Sequence, residues 1–443
     1  MTTPGDRPVG AGPDPRGIGA RVLSLLAEVR PGEATTVLLL TLNVFLLLCS
    51  YYLLKSAREP LILTQGGAEV KTYASAGQAI LLIGMTAVYG SLARRFGRMR
   101  LISVVTLFFA SNLLLFSVVG RAGVAIGVPF YLWVGVFNMS IVAQFWGFAA
   151  DVYTAEQGKR LFAIVGVGSS VGALVGARIA KWLVVPIGPY GMMLVAACVL
   201  LVCLGLTAVT HRREAGHVAA HKREPDQPLS SRGGFSLLLR DRYLLLIAAL
   251  TLLLNWVNTI GEYVLDRTLL AAAASAAGGL TSEQFIGVFK ASYFGWVNFV
   301  GVALQLVVVS RIFKYLGVRV ALFFLPLVAL GGYGVMGIAP VLSLVFVAKV
   351  AENSLDYSVQ NTARQALFLV TSREAKYTAK AVIDTFVVRT GDVLAAITVW
   401  LGSRLALSSA RFAWVNVALI VLWLCVLVAL VREHRRRSEL RGA

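Results

Sequence analysis

Lys349, Glu352 and Asp356 recur at spacings of three and four, which places them on one stripe of a helix. Asn353, Tyr357, Asn361 and Arg364 fall on the stripe beside it. The next apolar stretch carries Lys380, Asp384, Arg389 and Asp392. Earlier, Lys55 and Arg58 share a helical face with Glu59 beside them, Asn138, Gln144 and Asp151 punctuate a second run, and Asn255, Asn258 and Glu262 a third. All lie within or at the ends of otherwise apolar runs. Ionisable groups so placed can grip an anionic solute, relay protons, or pair with one another and so tie helices or gate a path. The cations Lys55, Arg58, Lys349, Arg364 and Lys380 suit phosphate or carboxylate, with Asn258, Glu262, Asn353, Tyr357 and Asn361 completing a substrate-binding set. Glu59, Asp151, Glu352, Asp356, Asp384, Arg389 and Asp392 suit coupling or gating. The last two runs balance four cations against four anions, as internal ion pairs would, so a structural role stands beside substrate contact for each residue. Arg58, Glu59 and Asp151, near run ends, can also snorkel to an interface.

Other chemistries find little footing. His211, His217, His221 and His434 all sit in polar segments, so no histidine relay or metal site is expected inside a bilayer. Cys49, Cys198, Cys203 and Cys425 lie in apolar runs without a CxxC pair, which indicates neither a disulfide frame nor zinc. Gly166-Val-Gly168 lacks the strand and third glycine of a dinucleotide fingerprint, and no GxxxxGK[ST] phosphate loop occurs. No nucleophile and base share a location. The expectation is a protein that is not an enzyme and needs no cofactor.

The elements that must position these charges are membrane spans. Of 443 residues, 58% are hydrophobic, above the roughly 45–50% of a soluble domain, and the 14% that are charged cluster between long apolar runs. The runs at 244–254 and 417–431 are nearly continuous, unlike the alternating strands of a β-barrel. At about 20 residues per span, the chain reads as an all-α membrane protein with about twelve transmembrane helices. The first six fall at 34–57, 69–92, 101–119, 127–151, 161–184 and 189–209. The second six fall at 242–265, 284–309, 318–338, 341–368, 377–403 and 412–431. Residues 1–33 form a tail in which Ile18, Val22, Leu25, Leu26 and Val29 predict an amphipathic surface helix. Residues 210–241 read as a linker between halves 34–209 and 242–431, and 432–443 as a basic tail.

Alternate loops are basic: Arg94, Arg95, Arg98 and Arg100; Lys159 and Arg160; the linker; Arg311, Lys314 and Arg319; Arg373 and Lys376. The intervening loops, such as 185–188 and 339–340, are nearly uncharged. Lys and Arg mark the cytoplasmic side, so both termini are expected there, in a bacterial inner membrane. The formal net charge of +19 is then topology, not a nucleic-acid footprint. The partners expected are the bilayer and a small anion, with the chain acting as a monomer.

The halves echo each other. Residues 91–97 (SLARRFG) parallel 310–317 (SRIFKYLG), and 154–159 (TAEQGK) parallel 371–376 (TSREAK). A six-plus-six duplication is the plan of the major facilitator superfamily, whose halves rock around a midplane site. Gly168, Gly172 and Gly176 add a smooth stripe on the fifth span, for packing or for sliding.

Two stretches resemble a known family. Residues 52–63 (YLLKSAREPLIL), followed by 67–71 (GAEVK), form one; residues 352–369 (ENSLDYSVQNTARQALFL), continued by 372–384 (SREAKYTAKAVID), form the other. Both are similar to the ATP/ADP translocases, the nucleotide transporters of plastids and intracellular bacteria, and to their bacterial relatives. The resemblance implies an ATP-binding antiporter that exchanges nucleotides without hydrolysing them. It also implies that intramembrane Lys and Glu residues are tied to transport. Lys55, Arg58 and Glu59 match the charged end of the first span, Glu262 a seventh-span glutamate, and Lys380 and Asp384 the start of the eleventh. Arg364 stands where the exchangers place a lysine, and Gln365 where they tend to carry a carboxylate. The function expected is secondary transport of an organic anion, with nucleotide exchange as its specific form. The alternatives are proton-coupled transport of another solute, and a non-transporting sensor or assembly component.

Overall fold

The computed structural model describes residues 30, 33–218, 231–275, 279–372 and 374–442. The amphipathic helix expected around residues 18–29 lies outside them. The first helix, Glu33–Arg95, is two spans joined at Gly67, whose φ of 79° reverses the chain where a side chain would be strained. Its arms are α1 (33–66) and α2 (68–95). There follow α3 (Arg98–Arg121), α4 (Gly127–Val152), α5 (Ala155–Leu183) and α6 (Gly188–Val218). The second half has α7 (Arg242–Ser275), α8 (Ser282–Ala303, prolonged to Tyr315), α9 (Gly317–Ile338), α10 (Leu342–Leu355, prolonged to Val370), α11 (from Ala375 to Arg404) and α12 (Ser409–Gly442).

Among the described residues, twelve spans thus cross the bundle. Nine described helices are long and apolar enough to cross a membrane, the first of them reaching from α1 into α2. The interrupted α10 and α11 are not among these nine. Both are polar, and both are broken by wide, π-type turns at Asp356–Gln360, Ala375–Ala379 and Ile383–Val387. Such turns re-aim side chains and are frequent at functional sites. Helix starts follow local rules: Thr154 with Gln157, and Thr281 with Gln284, form capping boxes on α5 and α8.

Each half has its own core, around Phe130, Phe137 and Met193 in the first and Tyr243, Tyr263 and Trp423 in the second. Lipid offers no hydrophobic drive between helices, so close packing carries the association. The glycine stripe does this within the first half: a Cβ on Gly168, Gly172 or Gly176 would strike main-chain atoms of Thr41, Phe45 or Cys49 on α1. Large apolar side chains such as Val118 and Ile338 face outward, as lipid allows.

Within 210–241 the described residues, 210–218 and 231–241, are more structured than a linker. α6 runs on to Val218, and a short helix occupies Ser231–Arg240. Leu238 is buried, and the Phe235 ring meets Phe386 at 5.1 Å. Arg437, from the basic end of α12, donates to both carboxylate oxygens of Asp241 at 2.6 and 3.0 Å. Partial burial pushes the Asp241 carboxyl up, but hydrogen bonds from Arg437 and from the Tyr243 amide outweigh it and hold it below its ordinary range. At the same end of the bundle Glu33 pairs with Arg160 at 3.1 Å, and Thr36 donates to Glu214 at 2.6 Å. This is the terminal end; the turn at Gly67 marks the far end.

Candidate transport cavity and its ion-pair lattice

A cavity of about 180 Å³ lies between the halves. Tyr52, Lys55, Arg58 and Glu59 of α1, Lys71 of α2 and Tyr131 of α4 line one side. Asn258, Thr259, Glu262 and Asp266 of α7, Tyr293, Phe294 and Asn298 of α8, and Asn353 and Tyr357 of α10 line the other. Tyr52, Val297, Asn298 and Tyr357 also wall a second cavity of about 450 Å³ on the terminal side, which reaches Ser169, Gln305, Asn361 and Thr362.

In and just behind the wall of the first cavity the charges form a lattice. Lys71 Nζ donates to Glu59 Oε2 at 2.5 Å and to Asp266 Oδ2 at 2.6 Å. Arg58 donates through Nε and Nη2 to Glu59 Oε1 at 3.1 and 2.8 Å. Lys290 Nζ lies 2.5 Å from Asp266 Oδ1, 3.6 Å from Glu262 and 3.7 Å from Glu59. Its approach to Asp266 is an ion pair without hydrogen-bond alignment. Lys349 donates to Glu352 at 3.0 Å and to Asn258 Oδ1 at 2.8 Å, 3.9 Å from Glu262. The hydroxyls of Tyr293 and Tyr333 donate to Glu262 and Glu352, each at 2.8 Å, and Asn353 donates to Glu262 at 3.1 Å. Lys290 and Lys349 are fully buried, and Glu59 and Asp266 nearly so.

The lattice is neutral. Arg58, Lys71, Lys290 and Lys349 oppose Glu59, Glu262, Asp266 and Glu352. Neutrality is what allows these ions to lie out of water, since an unpaired buried charge is heavily penalised. Two of its links, Lys71–Asp266 and Lys290–Glu59, join one half to the other. Further cross-half hydrogen bonds run from Tyr52 to Asn298, from Gln284 to the Val185 carbonyl and from Ser403 to Glu69. Glu59, Lys71, Asp266, Lys290 and Lys349 all lie within about 14 Å of helix from the far-end turns, at ~1.5 Å per residue. The lattice therefore clasps the halves at the far end.

Lys55 stands apart. Among the described residues no carboxylate pairs with it; its ammonium faces the rings of Phe294 at 4.2 Å and Tyr52 at 5.3 Å. Added to the neutral lattice, it makes five cations against four anions in the lattice and cavity together. Arg58, though paired, also stacks on Tyr131 at 4.3 Å.

Of the residues singled out in the sequence, Lys55, Arg58, Glu59, Asn258, Glu262, Asn353 and Tyr357 line this cavity, and Asn361 the one beside it. Lys349 and Glu352 sit just behind. Arg364, Lys380 and Asp384 line neither cavity; they lie on α10 and α11 nearer the terminal end, where Lys380 donates to Gln365 beside the Phe368 ring. Asp356 sits on the wide turn of α10. Asp151 pairs with Arg98 within the first half. Arg389 pairs with Asp392 at 3.2 Å within the second, and Asn255 and Thr259 donate to Asp392. The lattice also uses Lys71, Asp266 and Lys290, which no helical stripe had marked. The signal was present for each: a lone Lys290 in an apolar span, Asp266 one turn past Glu262, and Lys71 in the first family-like stretch.

No family model matches the chain. It is 22% identical over 292 residues to ADP,ATP carrier protein 1 of Chlamydia muridarum, covering 57% of this chain and 54% of that protein. With ADP,ATP carrier protein 2 of Chlamydia trachomatis the identity is 22% over 480 residues, covering 88% of this chain and 86% of the other. The chain thus spans about half the length of the carrier 1 relative and most of the carrier 2 relative. Among solved structures, the nucleoside transporter NupG aligns over 90% of this chain and 98% of its own, with a TM-score of 0.65 at 10% identity. A bacterial homologue of the human lysosomal transporter Spinster, in an inward-facing and unoccupied conformation, aligns over 93% and 99%, with a TM-score of 0.59 at 13% identity. The fold is that of the transporters in these solved structures. Within that class its sequence likeness is to the ATP/ADP translocases, as residues 52–71 and 352–384 suggest.

Proposed function

We propose that the protein is an alternating-access transporter of an organic anion in a bacterial inner membrane, and that its substrate is a nucleotide exchanged in the manner of ATP for ADP. The observation that carries this reading is Lys55, the cation left over when the lattice is neutral. An ammonium that has no carboxylate partner among the described residues favours an incoming phosphate. The walls supply Tyr52, Tyr293, Phe294 and Tyr357, flat faces on which a base can stack. The ADP,ATP carrier relatives support the nucleotide, and the basic loops support cytoplasmic termini.

On this reading Lys55, Arg58, Asn258, Glu262, Asn353, Tyr357 and Asn361 contact the substrate, and Lys349 holds Asn258 and Glu262 in place. Arg364 and Lys380, nearer the terminal end, draw the anion toward the cavity. Glu59, Lys71, Asp266 and Lys290 form the far-end gate, with Glu352 fixing Lys349. Asp151 with Arg98, and Arg389 with Asp392, stiffen the two halves that rock. Asp356 and Asp384, each on a wide turn, are the places where α10 and α11 flex. Reconstituted protein loaded with unlabelled ADP should take up labelled ATP, and Lys55→Met should abolish that uptake. Absence of counterflow for nucleotides and for every other phosphorylated or carboxylated solute tried would overturn the reading. One observation favours proton coupling as a second reading: Glu262 is a carboxylate that opens on the cavity, its side chain 25% exposed. Uptake that follows a pH gradient without internal counter-substrate would select it.

A further inference from the structure

A second recess lies on the outside of the bundle, where α5 of one half meets α8 of the other. It measures about 410 Å³ and is lined by Ala177, Arg178, Lys181, Gly295, Trp296 and Phe299 among others. The floor is built from small residues: a Cβ on Gly295 would only just touch Ala177. Trp296 and Phe299 are each 53% exposed along one wall, as suits side chains that meet acyl chains. Nothing in the central cavity's chemistry uses this recess.

Arg178 and Lys181 stand at its rim. They are three residues apart and so share a helical face. Arg178 is exposed, and among the described residues neither has a hydrogen bond or ion pair. That contrasts with the lattice, where every cation has its carboxylate. The rim also has a definite depth. From Arg160, which pairs with Glu33 at the terminal end, to Arg178 is 18 residues of α5, or about 27 Å at ~1.5 Å per residue. The hydrocarbon layer is roughly 30 Å thick. Two unpaired cations therefore lie at the headgroup level of the far leaflet, above an apolar trough that runs down into the membrane.

We propose that this recess binds one anionic phospholipid of the far leaflet. Its phosphodiester is held by the Arg178 fork and the Lys181 ammonium, and an acyl chain lies along Gly295, Trp296 and Phe299. The lipid bridges α5 and α8, the seam between the halves, at the end that the lattice clasps. It thereby favours the state in which that end is shut.

The test is lipid titration of the purified full chain in detergent, read by native mass spectrometry. Phosphatidylglycerol should bind with at least about tenfold preference over phosphatidylcholine of the same chains, because choline keeps the phosphodiester but sets its own fixed cation against Arg178 and Lys181, a repulsion worth about one charge-assisted contact. Arg178→Gln/Lys181→Gln should erase the preference, while Arg435→Gln/Arg436→Gln, at the opposite end, should keep it. Glycerol 3-phosphate at millimolar concentration should not displace the lipid, because the trough holds the chain. Equal binding of the two lipids, or an unchanged preference in the Arg178/Lys181 variant, would overturn the proposal. So would displacement by glycerol 3-phosphate, which would mark a free-phosphate site. Should that variant fail to fold, a photoreactive phenylalanine analogue at Ser292 in the otherwise unaltered protein gives an independent reading: phosphatidylglycerol adducts support the site, and their absence refutes it.

Discussion

Replacing Asp266 with Asn should open the far end. The carboxylate is almost wholly buried and faces two ammonium groups, Lys71 at 2.6 Å and Lys290 at 2.5 Å. Asparagine keeps the volume and removes the charge, so the lattice passes from four against four to four cations against three anions. Deleting one partner of a buried pair costs about 3–5 kcal/mol. Lys71 retains Glu59 at 2.5 Å, and Lys290 retains Glu262 and Glu59 at 3.6 and 3.7 Å, so the lower end applies. The cost falls on the state closed at the far end, because parting the halves separates Lys71 from Asp266 and admits water to both. About 3 kcal/mol of such bias shifts the closed-to-open ratio by roughly 100-fold. Spin labels on cysteines at Val124 and Leu280, exposed positions in far-end turns of the two halves, would report it by pulsed dipolar distances in a background without the four native cysteines. The parent should show the short distance, and Asp266→Asn mainly a longer one. Arg389→Gln removes a charge that pairs only within the second half and should leave the distance alone. An unchanged distribution in folded Asp266→Asn, or an equal shift in Arg389→Gln, would refute the gate.

Lys55→Met should leave thermal stability within about 0.5 kcal/mol of the parent, since no ion pair is lost, while anion uptake falls below detection; a parallel loss of both would make Lys55 structural. Gly172→Ala should cost about 1–3 kcal/mol, because the new methyl meets the Phe45 main chain on α1 and a helix must shift. Thermal unfolding in detergent would show it, and an unaltered midpoint would mean that α1 and α5 approach less closely. Asp241→Asn should change acid sensitivity. A carboxyl held below its ordinary value of about 3.9 adds stability that is present above that pH and fades as pH falls through its folded value. Being partly exposed, the pair with Arg437 is worth only about 0.5 kcal/mol. Between pH 6 and pH 3 the parent should therefore lose slightly more stability than Asp241→Asn in scanning fluorimetry; the reverse order would contradict the ion pair.

Span count and class were legible because each span must satisfy its backbone internally and present about 20 apolar residues to lipid, and both demands are local. Lys55, Arg58, Glu59, Glu262 and Asn353 were legible as candidates for the same reason: a polar side chain inside such a run needs a partner or a cavity. The stretch 210–241 was less so. Its polarity reads as a linker, whereas the short helix Ser231–Arg240 is held by burial of Leu238 and by the contact of Phe235 with Phe386, residues about 150 apart. Lys290 was passed over because it is a single charge in its own span, and Lys71 because its one charged neighbour, Glu69, is two residues away and off its face; stripes are visible only within one helix.

Partnership was the part that the chain order conceals. The sequence by itself determined twelve helices, a six-plus-six division, the sidedness of the basic loops and a near balance of buried charge, all of which follow from period, length and composition. Only the tertiary structure decided which charge meets which. Lys71 and Asp266 lie 195 residues apart, and Lys290 reaches Glu59 across the two halves. Coulombic pairing depends on separations of a few ångströms that helix packing sets, so the same residue types could have given a sealed core or an open site. The packing placed a neutral lattice at the far end and left Lys55 without a carboxylate, its ammonium between two aromatic rings in the cavity.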